Sequence, residues 1–238
     1  MMRHPGLWLS LILTLLVPAA RAQTLEEVLA KHAAARGGLE AWRAVRSLIV
    51  TGSVVLYSSA APFVFEWQRP DASRLEQSAF GKTILYVHDG STTWWVQPFL
   101  GAEQAAVLSE PNAGLVRRAV EFTSPLVDAA AQGNKVELLG KEEVDGQPAW
   151  KLKVTRKGGA EETWYLDPST WLELARFDRM LDSTGIKDRW TYYADFRAAG
   201  GLVIPHRQDQ EYGIRHVALT VEKVQVNVEI EAGRFAIK

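Results

Sequence analysis

Residue types able to do covalent or metal chemistry are sparse in this 238-residue chain. It has no cysteine, which excludes disulfides, thiolate metal sites and a cysteine nucleophile. His206 and His216 fall on neighbouring predicted strands and could approach each other. That pair is what a secreted hydrolase would draw on, but two histidines without a placed carboxylate make a poor metal site. His32 sits on or beside the apolar stripe of a predicted helix and reads as a core-edge residue. Glu142-Glu143 and Glu161-Glu162 read as solvated hairpin ends, and Asp89-Gly90 and Asp167-Pro168-Ser169 as turns. There is no G-x-S-x-G elbow, H-E-x-x-H, P-loop or dinucleotide fingerprint. The pattern speaks for a non-enzymatic protein and implies neither a cofactor nor a metal.

The aromatic residues, nine Trp, eight Phe and six Tyr, are the other chemical resource. On alternating stretches Phe63, Phe65 and Trp67 share one face, and so do Trp190, Tyr192 and Phe196. Trp164 stands with Leu166, while Trp94 and Trp95 point to opposite sides of their strand. Such faces either pack against helices as ordinary core or wall a cavity for an apolar ligand. The candidate cavity residues are therefore Phe63, Phe65, Trp67, Trp94, Trp164, Trp190, Tyr192 and Phe196. Each CH₂ of an acyl chain buried there contributes about 0.8 kcal/mol, so a lined groove can hold lipid without further chemistry.

The elements that must position these side chains begin after an N-terminal leader. Arg3 and His4 precede an apolar run from Leu7 to Val17, followed by Ala20-Arg21-Ala22, the layout of a signal peptide over residues 1–22. The expected mature product, Gln23–Lys238, is one domain, and Gln23 offers no thiol for lipid attachment. With Lys+Arg 27 against Asp+Glu 28 there is no basic footprint, so nucleic acid is not an expected partner. Thr24 and Glu27 form a capping box ahead of a helix with Leu25, Val28 and Leu29 on one face, ended by Gly37-Gly38. From Ser47 the period changes to two, with strands separated by turns such as Pro70-Asp71, Asp89-Gly90 and Asp145-Gly146. Ala102–Leu108, Ala113–Phe122 and Leu126–Ala131 read as helical interruptions. The sum is a mainly β chain of about eleven antiparallel strands with a few helices, and nothing in it demands more than a monomer.

Several short segments together resemble the LolA/LolB-like superfamily of periplasmic outer-membrane lipoprotein-sorting proteins, in particular its uncharacterised secreted branch. They are Gln68-Arg69-Pro70, then His88-Asp89-Gly90-Ser91-Thr92-Thr93-Trp94-Trp95-Val96-Gln97-Pro98-Phe99, and Phe122-Thr123-Ser124-Pro125-Leu126-Val127-Asp128. Tyr165-Leu166-Asp167-Pro168, Gly201-Leu202-Val203-Ile204-Pro205 and Ala35-Arg36-Gly37-Gly38-Leu39 complete the set. The resemblance implies an eleven-stranded half-barrel whose apolar concave side is covered by helices and receives acyl chains of lipid or lipoprotein. It also implies a periplasmic location, an inner-membrane donor and an outer-membrane acceptor. Arg69 matches the family arginine that hydrogen-bonds the covering segment and helps switch it between closed and open. An envelope protein-interaction or sensor module on the same fold, without lipid, is the alternative.

Overall fold

A computed structural model describes residues 23–56, 59–119, 121, 123–182 and 184–236; the leader read at residues 1–22 lies outside them. Helix α1 (Leu25–Ala35) starts on the capping box, with Thr24 Oγ1 accepting from Glu27 N and Glu27 Oε2 accepting from Thr24 N. After Gly37 and Gly38, both at positive φ, comes the short α2 (Leu39–Ala44). Strands β1 (Ser47–Leu56), β2 (Ser59–Gln68), β3 (Ala72–Ala79), β4 (Lys82–Asp89), β5 (Thr93–Gln97) and β6 (Ala102–Leu108) follow as a meander. Helix α3 (Asn112–Ala119) and a run of turns then carry the chain across to β7 (Lys135–Val144). A second meander runs through β8 (Gln147–Thr155), β9 (Glu161–Leu166), β10 (Glu173–Asp182), β11 (Gly185–Ala199), β12 (Leu202–Tyr212) and β13 (Arg215–Val226).

All thirteen strands join one open antiparallel sheet in the order β6-β5-β4-β3-β2-β1-β13-β12-β11-β10-β9-β8-β7. The count exceeds the expected eleven. Residues 102–108 are an edge strand rather than a helix, because pairing with β5 outweighs the helical preference of an alanine-rich segment. Residues 126–131 are turns rather than a helix. There the Gln132 side chain donates to the Ser124 and Val127 carbonyls and Asn134 to that of Pro125, replacing helical bonds.

Register sorts the side chains onto two faces. The lateral rows Leu48–Trp67–Ser73–His88–Thr93 and Val50–Phe65–Leu75–Tyr86–Trp95 lie on the helix-covered face. Trp42, Val45 and Val127 pack there on Leu48, Val50, Phe63, Phe65, Leu202 and Ile204. Farther along, Val28 of α1 and Leu126 pack on Leu152, Val154, Trp164 and Leu166. The opposite face carries the row Glu66–Arg74–Val87–Trp94, reached by the C-terminal segment through Arg234, whose Nε donates to Glu66 at 2.8 Å.

Helix α1 is fastened to the sheet at its C-terminal end. Arg36 Nε donates to Val203 O at 2.6 Å, Val203 N donates back to Arg36 O, and Trp42 Nε1 donates to the same Arg36 carbonyl. Gly37 passes so close that a Cβ there would stand 2.3 Å from Gly201 O. The Arg36-Gly37-Gly38 and Gly201-Leu202 segments thus meet where two backbones cross with no room for a side chain.

Candidate functional site

Between α2, α3 and the inner face of β1–β3 lies a cavity of about 770 Å³, inside the range of small-molecule sites. Its floor is apolar: Trp42, Val45, Leu48, Phe65, Trp67 and Val127. Sheet alternation supplies Leu48, Phe65 and Trp67, while the short α2 and the turn at 127 supply the remainder from above. Its rim is ionic. Arg43 grips Asp128 with two donors, Nε to Oδ2 at 2.7 Å and Nη2 to Oδ1 at 3.0 Å, tying α2 to the turn segment. Those bonds hold the Asp128 carboxyl below the usual carboxylate range. Arg117 on α3 pairs with Glu110 at 2.6 Å, and its second nitrogen donates to Thr93 Oγ1 on the sheet.

Arg69 sits at the same mouth. Its Nε donates to Val45 O at 2.7 Å and its Nη2 to Trp42 O at 3.1 Å, with Arg43 O at 3.5 Å. These are carbonyls at the C-terminal end of α2, where helices run short of intrahelical donors; the Trp42 carbonyl also accepts from Val45 N. The guanidinium therefore fixes where α2 ends relative to β2, and its centre lies 5.6 Å from the Trp67 ring.

The structure separates the aromatic candidates. Phe65 and Trp67 line the cavity, and Phe63 lies in the adjoining core over Gly52. Trp164 is inward-facing but packs under α1 with Val28 and Leu152, 5.3 Å from the Arg176 guanidinium. Phe196 lies 5.8 Å from the Arg36 guanidinium, beyond the positive-φ residue Asp195. Trp94 stands on the outer face in the Glu66–Arg74–Val87 row. Trp190 and Tyr192 are outer as well, in rows with Phe177 and Tyr165; Trp190 stacks with Tyr165 and Tyr192 at 5.6 and 6.1 Å between centroids and meets Phe177 at a tilt at 5.2 Å. The expectation of one aromatic wall thus gives way to two surfaces, because Trp190 and Trp164 occupy alternate positions across β9–β11.

The histidines are placed apart. His216 is opposite Glu211, whereas His206 is five residues farther along β12, about 17 Å at the usual strand rise. His206 is buried with Nδ1 on Ile204 O, and His216 is exposed. Among the described residues no group of three or more His, Cys, Asp or Glu could hold a metal. Glu162, read from sequence as solvated, is 2 % exposed and accepts from Arg156 Nε and the Trp164 indole.

The sequence reading also missed a buried polar tie beneath α1. His32 Nδ1 donates to Trp171 O at 2.8 Å, so its Nε2 is the lone-pair nitrogen, 3.3 Å from Ser124 Oγ and 3.5 Å from Glu173 Oε1. Glu173 is bonded to Arg36. Burial depresses the His32 imidazole, keeping it neutral. Burial pushes Glu173 up, but the adjacent Arg36 charge outweighs it and holds the carboxyl below its usual range. Serine, histidine and carboxylate meet here without a nucleophilic relay, since Ser124 and Glu173 approach the same ring nitrogen. The group binds α1, the 124 turn and β10 together. A sequence signal did exist: Arg176 and Asp178 alternate with Ala175 and Phe177, which assigns them to solvent unless helices cover that face, while Glu173 shares the parity of Ala175 and is turned to the helix side only by the register shift between the two.

No protein-family model and no curated protein matches the chain. Solved structures do. A domain from Vibrio parahaemolyticus described as an outer membrane lipoprotein-sorting protein superposes at TM-score 0.57 and 14% identity, covering 89% of this chain and 95% of that one. A LolA superfamily protein from Nitrosomonas europaea gives TM-score 0.59 at 15% identity, with 90% and 98% covered. A DUF1329 family protein from Desulfovibrio piger gives 0.56 at 11%, with 90% and 99% covered. With nearly whole chains aligned, the chain has a LolA-like fold.

Proposed function

We propose that this protein is a periplasmic carrier of the outer-membrane lipoprotein-sorting type, holding the acyl chains of a lipid or lipoprotein. The observation that carries the reading is the cavity floored by Leu48, Phe65 and Trp67 beneath α2, in a half-barrel of this fold. Ten buried CH₂ groups would contribute about 8 kcal/mol before the cost of ordering the chain, so the floor needs no catalytic group to retain ligand. Arg69 then acts on the covering helix: its bonds to α2 carbonyls favour a closed form that competes with ligand, so that cargo passes to a better acceptor. An inner-membrane donor and an outer-membrane acceptor complete the proposal. Among the described residues no helix is long and apolar enough to cross a membrane.

The test is organic extraction and lipid mass spectrometry of the protein purified from its native envelope, with titration of a polarity-sensitive naphthylamine probe. Stoichiometric acylated species, and probe displacement by them, are expected. A lipid-free protein that also leaves the probe in water would overturn the carrier reading and favour the second one. That reading is a protein-contact module, and the outer-face cluster of Tyr165, Phe177, Trp190 and Tyr192 speaks for it.

A further inference from the structure

The charged groups along the cavity do not balance. Arg43, Arg69, Arg117, Arg118, Arg156 and Lys157 line it against Asp71, Glu110, Glu121 and Asp128. Most of these cations are already engaged: Arg43 with Asp128, Arg117 with Glu110, Arg156 with Glu121 at 2.5 Å, and Arg69 with backbone carbonyls. Arg118 is different. Its Nε stands 3.7 Å from Glu162 Oε1, outside hydrogen-bond reach, and Glu162 already serves Arg156 and the Trp164 indole.

No carboxylate behind Arg118 is free to serve it. Asp178 accepts two donors from Arg189, at 2.9 and 2.6 Å, and leaves the fully buried Arg176 Nε without a hydrogen-bond partner at 3.6 Å. Arg118, Arg156, Arg176 and Arg189 thus face Glu121, Glu162 and Asp178, one carboxylate too few. Of the two poorly matched guanidiniums, Arg118 is the one that reaches the cavity wall. Its side chain is 18% exposed, and burial pulls its guanidinium below the ordinary arginine value, so water compensates the charge poorly. Lys157, exposed on the same wall, makes no ion pair among the described residues.

We infer that the ligand is an amphiphile with an anionic headgroup, a phosphate diester or a carboxylate, whose oxygens bind Arg118 while its chain lies on Leu48, Phe65 and Trp67. The inference rests on the carrier reading and names its substrate class. A guanidinium in a poorly hydrated wall suits such a group because it offers two parallel donors to a pair of anionic oxygens. Lys157 adds a second positive charge at the wall without fixing orientation.

The experiment is displacement of neutral N-phenyl-naphthylamine from the full-length mature protein by lysophosphatidylglycerol and by the monoacylglycerol of the same chain length. At least tenfold tighter binding of the anionic lipid is expected. Arg118→Gln is expected to reduce that preference below threefold, and Lys157→Gln to reduce it two- to threefold. The wild-type comparison and Lys157→Gln decide the matter even where Arg118→Gln does not fold. Equal displacement by the two lipids would overturn the inference and leave the carrier reading intact; displacement by neither would overturn both. Inorganic phosphate raising the melting temperature as far as the lysolipid does would also overturn it, since the chain would then contribute nothing.

Discussion

Three side chains at the residue scale convert position into measurable behaviour. Arg69 is exposed apart from its bonds to α2, so Arg69→Leu is expected to cost only about 1 kcal/mol of stability in urea unfolding. Without that pull toward the closed form, bound probe is expected to leave severalfold more slowly in stopped-flow dilution; an unchanged release rate would exclude a gating role. His32 and Glu173 respond to acid in the same direction. The native state refuses a proton at both, because burial depresses the imidazole and the Arg36 charge holds down the carboxyl. The unfolded chain takes protons up from about pH 6.5 at the histidine and about pH 4.5 at the glutamate, so it binds more protons and stability falls as pH falls. Urea midpoints between pH 7.5 and 5 are expected to decline, and His32→Gln to flatten the decline between pH 6.5 and 5.

At the scale of elements, the crossing of the α1–α2 corner over the β11–β12 turn is the least forgiving junction. Gly37 has φ +104 and would place a Cβ against Gly201 O. Gly37→Ala is therefore expected to destabilise by about 2–4 kcal/mol, read from the urea midpoint, combining backbone strain with a clash that neither chain can relieve locally. Gly38→Ala, also at positive φ but with open space around it, is expected to cost clearly less. The capping box at Thr24, the Asp145-Gly146 hairpin and most strands were legible because their signals are local: a side chain and a backbone group a few residues apart. The edge strand at 102–108 was not, since its conformation comes from a partner strand and its own residues favour a helix. The site was legible in part. Alternation groups Phe65 with Trp67 but says nothing about which side of the sheet the helices cover, and that choice separates Trp164 from Trp190. The buried ionic cluster was invisible for the same reason, as Arg176 and Asp178 are polar residues on a face that only α3 and its neighbours shield.

The whole molecule is organised by a single crossover. The chain leaves one sheet edge at β6, passes over the inner face as α3 and the turns to residue 134, and enters the other edge at β7. Opening the cavity therefore requires α2 and the turn segment to part, and the Arg43–Asp128 bond spans that gap. As the chain has no cysteine of its own, Arg43→Cys with Asp128→Cys gives a unique pair for a short, reductively cleavable thiol cross-linker. Joining the pair is expected to slow probe entry at least tenfold, with recovery on reduction. Entry at the uncrosslinked rate would mean that ligand passes by another route.

The sheet order has a consequence for how such a chain is born. Strand β1 is synthesised first, yet its two neighbours are β2 and β13, the second and the last strands to emerge. A chain appearing N-terminus first can zip β1 to β6 by successive hairpins, but β1 then presents a bare edge until the 106 residues between β6 and β13, and β13 itself, have arrived. Its edge-to-edge closure is the event of highest sequence separation, expected late and slow, and a nascent half-sheet in a crowded compartment invites mispairing with its sister chains at that seam.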